Sequence, residues 1–265
     1  MGKDADRNLV ERLSWDEVAA SIESGAAAVL PIGAAAKQHG FHLPMNTDRI
    51  QAEFLAAAIA DRIDALVWPT VAYGYYPAFA EYAGSCGLSA AVFEATVHEI
   101  ASGIVGFGCR ALLVLDTGIS TIDPVDRALA RLDAGNALHL RIHGGTRYRR
   151  AAQKLAEQSH GSHADELETS LMLALAPDLV DMSRAEASAA LKYETPGCLT
   201  PSDIGSPNYS RSGSYGDPTL ATSAKGKILL AAMVDDLIEQ ATVFLGLGAP
   251  AKAKSGSAPH KGASP

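Results

Sequence analysis

Four short apolar runs, separated by stretches with helical spacing, constrain the fold of this chain most strongly. They are AAAVLPIG (26–33), ALVWPTVAYG (65–74), ALLVLDTG (111–118) and ALHLRIHG (137–144). Continuous apolar runs of this length, closed by glycine or proline turns, are typical of strands that are covered on both faces. We therefore predict a central, mostly parallel sheet.

Helical patterns lie between and after these runs. Apolar residues recur at helical spacing over 47–63, 88–108, 124–135, 164–176 and 222–245. Ser89 is a predicted N-cap, and Pro177 is expected to end the fourth helix. Strands that alternate with helices predict a layered α/β fold with right-handed crossovers.

The length of 265 residues allows one large domain or two small ones. We predict a single α/β domain over 1–246. The segment 247–265 is rich in glycine, alanine, serine and lysine and is expected to be a disordered tail. The segment 193–219, rich in Gly, Pro, Ser and Tyr, is expected to be an ordered loop or lid.

Composition excludes several classes of function. The formal net charge is −8, which argues against nucleic acid or an anionic membrane as a partner. No apolar run approaches the roughly 18 residues that span a bilayer, and the N-terminus lacks an apolar signal-peptide core. Cys86, Cys109 and Cys198 show no CxxC pairing, so we expect reduced, buried cysteines in a cytoplasmic protein.

The stretch LPIGAAAKQHGFHLPMNTD (30–48) has the layout of a metal site at the end of a buried strand. It contains His39, His42 and Asp48, but Lys37 stands two residues before His39. A divalent cation needs neutral imidazoles and ionised carboxylates, and an ammonium repels it. Either the site holds fewer metals than it might, or the lysine supplies a metal's charge. A simpler alternative is that Thr47 or Asp48 only caps the next helix.

Two further polar clusters follow in the chain. They comprise Asp116, Thr117, Ser120 and Thr121, and then His160, His163, Asp165, Glu166 and Glu168. Ligands of open α/β sheets bind beyond the carboxyl ends of the strands, which favours a shared site. The structural alternatives are a strand-end cap at Asp116 and an acidic helix start that suits the helix dipole. No P-loop, GxSxG, HExxH or dinucleotide-binding fingerprint is present.

These clusters, in this order, resemble the creatininase (creatinine amidohydrolase) family. LPIG…QHGFHLPMNTD is similar to that family's LPVGSxEQHGPHLPLxTD, and HADELETSLMLALAPDLV (163–180) is similar to its HxGxxETSLMLALxPxLV. AEYAGSCGLS (80–89) and YGDPTLATSAKGKILL (215–230) resemble two further family segments. The resemblance implies a three-layer α/β/α sandwich, metal-dependent hydrolysis of amides, and a homo-oligomer that is often a hexamer.

The resemblance also assigns site residues. His39, Asp48, His163 and Glu168 match functional positions of the family. Lys37 replaces the glutamate of the EQH motif, and residues 116–118 replace the NGH motif, so its histidine is missing. The family holds two metals, and the two missing ligands are taken to serve the same one. We therefore expect one divalent metal, bound by His39, Asp48 and Glu168, with zinc favoured over manganese or iron.

The remaining roles are inferred from the chemistry of the residues themselves. Lys37 is expected to replace part of the absent charge and to stabilise the oxyanion, and Asp116 to accept a hydrogen bond from substrate or from Lys37. His163 is the predicted general acid. The predicted function is hydrolysis of an amide or ring bond in a small polar substrate. The alternatives are a metal-independent hydrolase or lyase that uses Lys37, and an inactive paralogue that binds a small molecule.

Overall fold

A parallel four-stranded sheet forms the centre of the protein, with strand order β2-β1-β3-β4. The computed structural model describes residues 8–132, 135–188 and 198–247. The strands are β1 (Ala27–Ile32), β2 (Ala65–Val67), β3 (Leu112–Asp116) and β4 (Ala137–Arg141). All four predicted strands form, but each is shorter than its apolar run. The predicted α/β class is confirmed.

Seven α-helices are present in the described part of the chain. They are α1 (Trp15–Glu23), α2 (Thr47–Ala60), α3 (Ala90–Gly106), α4 (Ile122–Ala130), α5 (Thr146–Leu155), α6 (Glu166–Leu175) and α7 (Ser223–Phe244). The sequence reading missed α1 and α5, because nearly all of their residues lie outside the core. One signal for α1 was present: the Glu17 carboxylate accepts a hydrogen bond from the Ser14 backbone N–H, as in a capping box.

The sheet is covered by helices on both faces. Alternate residues of each strand point to opposite sides, so Val29 and Leu113 pack in one apolar cluster and Leu30 and Val114 in the other. The first cluster includes residues of α2, α5, α6 and α7, whereas the second includes residues of α3 and α4. Full burial of such a side chain contributes about 1.5–3 kcal/mol, so both layers stabilise the sheet. This is the three-layer arrangement that the sequence predicts.

The helix ends follow local chemistry. Ser89 caps α3 by accepting from the Val92 N–H, and Thr222 caps α7 by accepting from the Lys225 N–H. Helix α6 begins only after Asp165, which serves as its N-cap, and α4 ends at Ala130 rather than near 135. Gly226 lets α7 approach α6 closely, because a Cβ atom there would lie 1.8 Å from the Ser170 carbonyl oxygen.

The loop predicted over 193–219 is described from residue 198 onward. Apart from a short 3₁₀ turn that starts at Pro218, it contains no helix, and it contacts the rest of the fold through isolated bridges such as His163 to Tyr215. The tail predicted to be disordered lies outside the described residues from 248 onward. The division into one domain and a tail stays a prediction.

The expected burial of the cysteines is wrong. Cys86 and Cys198 are exposed and Cys109 is partly buried, and all three are free thiols. Cys86 follows the tyrosine-rich turn, where the chain runs along the surface. Separately, no helix among the described residues combines the length and the apolarity needed to cross a bilayer.

Candidate active site

A cavity of about 360 Å³ opens at the carboxyl ends of β1, β3 and β4. Its wall includes residues from all three polar clusters of the sequence. The titratable side chains in the wall, apart from tyrosines, are Lys37, Asp48, Asp116, His143, His163 and Glu168. The apolar part of the wall comes chiefly from the turn after β2 and from residues such as Phe79. The fold therefore brings together groups that are more than a hundred positions apart.

Lys37 and Asp48 form a buried ion pair in this wall. The Lys37 Nζ atom lies 2.6 Å from Asp48 Oδ2, and the side chains are only 9% and 6% exposed. The start of α2 packs tightly on the end of β1, because a Cβ at Gly33 would lie 2.6 Å from the Asp48 carbonyl oxygen. Burial raises the pKa of the Asp48 carboxyl, but Lys37 and His39 more than offset it, so the net pKa lies well below its usual value.

His39 is the most buried member of the site. Its Nδ1 atom donates to the Lys37 carbonyl oxygen at 2.9 Å. Its Nε2 atom lies 3.0 Å from Asp48 Oδ1 and 3.8 Å from Glu168 Oε1. A backbone acceptor that fixes one ring nitrogen and directs the other at carboxylates is the usual environment of a metal-binding histidine.

His163, from a distant segment of the chain, faces the same Glu168 carboxylate as His39. Its Nε2 atom lies 2.9 Å from the Gln38 carbonyl oxygen and 3.2 Å from the Gln38 side-chain Nε2. The shorter contact is to an oxygen that can only accept, so the ring proton is assigned to Nε2 of His163. Its Nδ1 atom then faces Glu168 Oε2 at 3.7 Å. Desolvation, followed by the nearby charge of Lys37, lowers the pKa of His163 well below its usual value, which keeps the ring neutral.

The backbone after His163 is held in an unusual conformation. Ala164 has a φ of 46°, in the left-handed region that residues with a side chain seldom adopt. Its N–H donates to Glu168 Oε2 at 2.6 Å. This turn separates His163, which enters the cavity, from Asp165, which caps α6. Strain of this kind is typical of functional sites.

Three side chains could hold a metal ion. Among the described residues, the ligand atoms of His39, His163 and Glu168 all lie within 4.8 Å of one another. Two imidazoles and one carboxylate are a donor set that suits zinc, and both rings are oriented by backbone carbonyls, so these residues fit a metal. Asp48, which the sequence places in the metal set with His39 and Glu168, lies 3.0 Å from His39 Nε2 through Oδ1 and 2.6 Å from Lys37 Nζ through Oδ2, and its role as a ligand stays a prediction.

The other members of the predicted clusters have structural partners. His42 Nε2 lies 2.7 Å from Thr169 Oγ1, and burial lowers the pKa of its imidazole to about 4. Asp165 accepts from the backbone N–H groups of Leu167 and Glu168, as the helix-start alternative expects. Glu166 is fully buried and pairs with Lys225 at 2.6 Å. The acidic segment therefore divides into structural residues and one cavity residue, Glu168.

Asp116 organises the loop after β3. Its carboxylate accepts from the Gly118 N–H at 3.0 Å and from Thr121 Oγ1 at 2.8 Å, and His139 Nε2 lies 3.2 Å away. Lys37 Nζ, a predicted partner, pairs with Asp48 instead. The contacts of Asp116 are those of a strand-end cap that also borders the cavity.

Among the titratable residues of the cavity wall, sequence reasoning missed His143. It follows β4 at the end of the run ALHLRIHG, and only its position after a strand end could have indicated it. Gly74, Tyr75 and Tyr76, in the turn after β2, also border the cavity. Residues 198–219 do so only indirectly, because the Gly213 carbonyl accepts from Gln38 Nε2 at 2.8 Å and thereby fixes the loop that carries His39.

The fold and the site define an α/β protein with a histidine–carboxylate centre at the carboxyl edge of its sheet. A family model described as creatininase, creatinine amidohydrolase, matches residues 11–241. The chain therefore belongs to the creatininase family, which confirms the predicted resemblance and the class of creatininase-like amidohydrolases.

Curated relatives support the same assignment. Creatinine amidohydrolase of Pseudomonas putida is 27% identical over 253 residues, which covers 87% of this chain and 95% of the relative. Mycofactocin precursor peptide peptidase of Mycobacterium ulcerans is 29% identical over 231 residues, which covers 80% of this chain and 83% of the relative. Relatives with two differently named activities thus each match at least 80% of this chain.

Solved structures agree with the fold. A crystal structure of creatinine amidohydrolase has a TM-score of 0.76 and 25% identity, and the match covers 89% of this chain and 97% of that chain. A mutant creatininase described as the Zn-Zn type has a TM-score of 0.73 and 26% identity, with 89% and 97% covered. The fold match extends over almost the complete length of both neighbours.

Proposed function

We propose that this protein is a metal-dependent hydrolase that cleaves an amide or ring bond of a small polar substrate with one metal ion rather than two. The observation that carries the proposal is the convergence of His39, His163 and Glu168 within 4.8 Å beside the Lys37–Asp48 ion pair. Zinc is the favoured ion, with manganese or iron as alternatives. A solved structure of a mutant creatininase is described as the Zn-Zn type, so the alternative to one ion is a site that holds two.

Charge supports a single ion. The cavity wall contains three carboxylates, those of Asp48, Asp116 and Glu168, and one ammonium, that of Lys37. One divalent cation would balance these formal charges, whereas a second would leave an excess of positive charge. Lys37 also stands where the family pattern has a glutamate ligand. A buried ammonium disfavours a cation at its own position because both are positive.

When bound, the metal would lower the pKa of a water molecule and polarise the scissile carbonyl. The chain's own residues would stabilise the developing charge and orient the groups around the substrate. Lys37 holds Asp48 ionised and is positioned to stabilise negative charge on the carbonyl oxygen. His39 and His163 are held by backbone carbonyls with one ring nitrogen each directed at Glu168.

His163 has two candidate roles. The sequence predicts a general acid, whereas its geometry favours a ligand role, since its Nε2 proton is used by Gln38 O and its Nδ1 faces Glu168. We place His163 with His39 and Glu168 in the metal set. Asp48 is the fourth candidate, because its Oδ1 lies 3.0 Å from the same His39 nitrogen.

The direct test is metal analysis of protein prepared without chelators, combined with an activity screen. The screen uses small cyclic amides, including creatinine and hydantoin, and short peptides, with release of amine as the readout. We expect one ion per chain and activity that is lost on chelation and regained with zinc. Two ions per chain would contradict the single-metal proposal, and none would contradict metal dependence.

The alternatives give different results in the same experiment. Activity that survives chelation but is lost in Lys37→Ala would indicate a metal-independent enzyme that uses the ammonium directly. Thermal stabilisation by a screened compound without turnover would indicate a binding protein. The ion pair in the cavity favours the first of these over the second, because a buried charge pair is costly to retain without a function.

We also propose a cytoplasmic homo-oligomer, with a hexamer as the assembly implied by the resemblance. The three free thiols suit a reducing compartment. Mass photometry of the purified chain tests the assembly, and a single monomer peak would refute it.

A further inference from the structure

A second cavity of about 310 Å³ adjoins the cavity of the candidate active site. Its wall is made by the segment between β2 and α3, from residues 75–77, 80 and 85–88. Tyr75 and Tyr76 belong to the walls of both cavities, so the two spaces meet at this pair of side chains. The second cavity has no part in the site described so far.

The two cavities differ in charge. The wall of the active-site cavity includes the charged groups of Lys37, Asp48 and Glu168. The wall of the second cavity contains no acidic, basic or histidine side chain, and it includes two tyrosines, Pro77 and Leu88. A charged group placed there would lose hydration without gaining a partner, whereas an apolar group gains by leaving water. The second cavity therefore suits an uncharged, mainly apolar group.

The wall of the second cavity is bonded to the loop that carries the charged centre. The Cys86 N–H donates to the Ala36 carbonyl oxygen at 2.9 Å, and the Gln38 N–H donates to Ser85 Oγ at 3.0 Å. The Tyr76 hydroxyl donates to the same Ala36 oxygen at 3.1 Å. Residues 36 and 38 flank the lysine of the buried ion pair. A group held in the second cavity thus lies beside the segment that positions the proposed reaction.

Tyr75 and Tyr76 play different parts at the boundary. Tyr76 is buried, and its hydroxyl is occupied by the carbonyl oxygens of Ala36 and Cys86. Tyr75 is half-buried, and its ring packs against the apolar cluster on the α3–α4 side of the sheet. Within the described part of the chain, the Tyr75 hydroxyl makes no hydrogen bond. The fold anchors the Tyr75 ring and leaves a hydrogen-bonding group for a ligand at the boundary.

We propose that the second cavity is a subsite for an uncharged, mainly apolar arm of the substrate, and that Tyr75 is its specificity-determining residue. The inference rests on the proposed hydrolase function. The scissile amide lies in the charged cavity, and the arm passes the boundary and packs on the Tyr75 ring. The Tyr75 hydroxyl donates to a polar atom of the amide end. The substrate class is thereby narrowed to amides or cyclic amides that carry an aryl or alkyl group.

The test compares three compounds that share one ring: hydantoin, benzylhydantoin and hydantoin acetic acid, the last two substituted at the same ring carbon. Microscale thermophoresis of the full-length protein measures their affinities without requiring turnover. We expect benzylhydantoin to bind about 10–100-fold more tightly than hydantoin, because its arm fills an apolar space. Hydantoin acetic acid should show no such gain, since its arm is charged.

Variants locate the preference in the second cavity. Ala80 is exposed and borders this cavity alone, so Ala80→Phe should fill it and abolish the benzyl preference, with hydantoin affinity changed by less than about threefold. Tyr75→Ala should remove most of the preference. Tyr75→Phe should keep it but weaken both compounds by about 3–10-fold, because only the hydroxyl is lost. Tyr73→Ala is the matched control, since Tyr73 is 52% exposed and borders neither cavity.

Equal or immeasurable affinities of the wild type for benzylhydantoin and hydantoin would overturn the subsite. A preference that persists in Ala80→Phe would place the arm elsewhere, and one that persists in Tyr75→Ala would remove Tyr75 from the proposal. The hydrolase function fails separately. If no compound is hydrolysed but the benzyl preference is lost in Ala80→Phe, the subsite stands and the hydrolase is refuted. If the compounds are hydrolysed without any benzyl preference, the hydrolase stands and the subsite is refuted.

Discussion

The Nζ atom of Lys37 lies 2.6 Å from Oδ2 of Asp48, although both side chains are almost excluded from solvent. A pair this close and this buried depends on both partners, because the removal of one leaves an uncompensated charge in a poorly solvated position. The ammonium and the carboxylate also face the cavity in which His163 and Glu168 lie. The contact between Lys37 and Asp48 therefore contributes both to the stability of the fold and to the proposed chemistry.

Lys37→Met is expected to destabilise the fold by about 3–5 kcal/mol, because Asp48 remains as a buried, unpaired carboxylate. The double variant Lys37→Met/Asp48→Asn should recover a large part of this loss, since no charge is left unpaired. Urea denaturation of the two variants and the wild type, at equal metal loading, measures the difference. A loss below about 1 kcal/mol in Lys37→Met would mean that the pair behaves like a surface salt bridge.

Asp48→Asn and His163→Gln separate the two candidate metal sets. If His39, His163 and Glu168 hold the ion, His163→Gln should weaken zinc binding by more than the roughly 10–100-fold that is typical of changes in a supporting residue, and Asp48→Asn should stay within that range. Competition titration with a chromogenic chelator gives both affinities. The reverse order of the two effects would return Asp48 to the metal set in place of His163.

Glu166→Gln and Glu168→Gln are a matched pair on the first turn of α6. Glu166 is fully buried and bonded to Lys225 and to the Gln158 N–H, whereas Glu168 faces the cavity. Glu166→Gln should therefore lower the unfolding free energy by about 1–3 kcal/mol or more while zinc binding is retained. Glu168→Gln should abolish zinc binding with a smaller effect on the apo protein. Equal effects of both changes on zinc affinity would refute this division of roles.

His42 predicts a pH dependence of stability. Burial lowers the pKa of its imidazole from 6.5 to about 4 in the folded state, so between these values the unfolded chain binds a proton that the folded chain does not. Its contribution to stability is thus complete above about pH 6.5 and is lost as the pH falls toward 4, by up to about 3 kcal/mol. Denaturation at several pH values measures this slope.

His42→Gln should flatten part of that slope, because glutamine does not titrate. It retains groups that can bond to Thr169, the partner of His42 in the structure. The rest of the slope includes contributions from His163 and His143, whose pKa values are lowered in the same direction by desolvation. A slope in His42→Gln identical to that of the wild type would show that His42 is already protonated or accessible in the folded state.

The sequence by itself determined the layers and the location of the site. The apolar run 111–118 and the helical spacing over 222–245 are local patterns that arise because one or both faces of an element are buried. Strands and helices can therefore be predicted from such patterns. Clusters of polar residues after strand ends predicted where the cavity lies, because parallel strands end at one edge. The motif segments also sufficed to identify the family.

Only the tertiary structure decided which polar side chains share the cavity. His39 and His42 are three residues apart, yet one faces Glu168 and the other Thr169. The turn at Ala164, with its positive φ, separates His163 from the helix cap at Asp165, and no periodic pattern encodes such a turn. His143 lies outside the predicted polar clusters, and the other residues that line the cavity with it come from distant segments of the chain. The direction of a side chain outside a regular element is set by long-range packing, which local sequence does not contain.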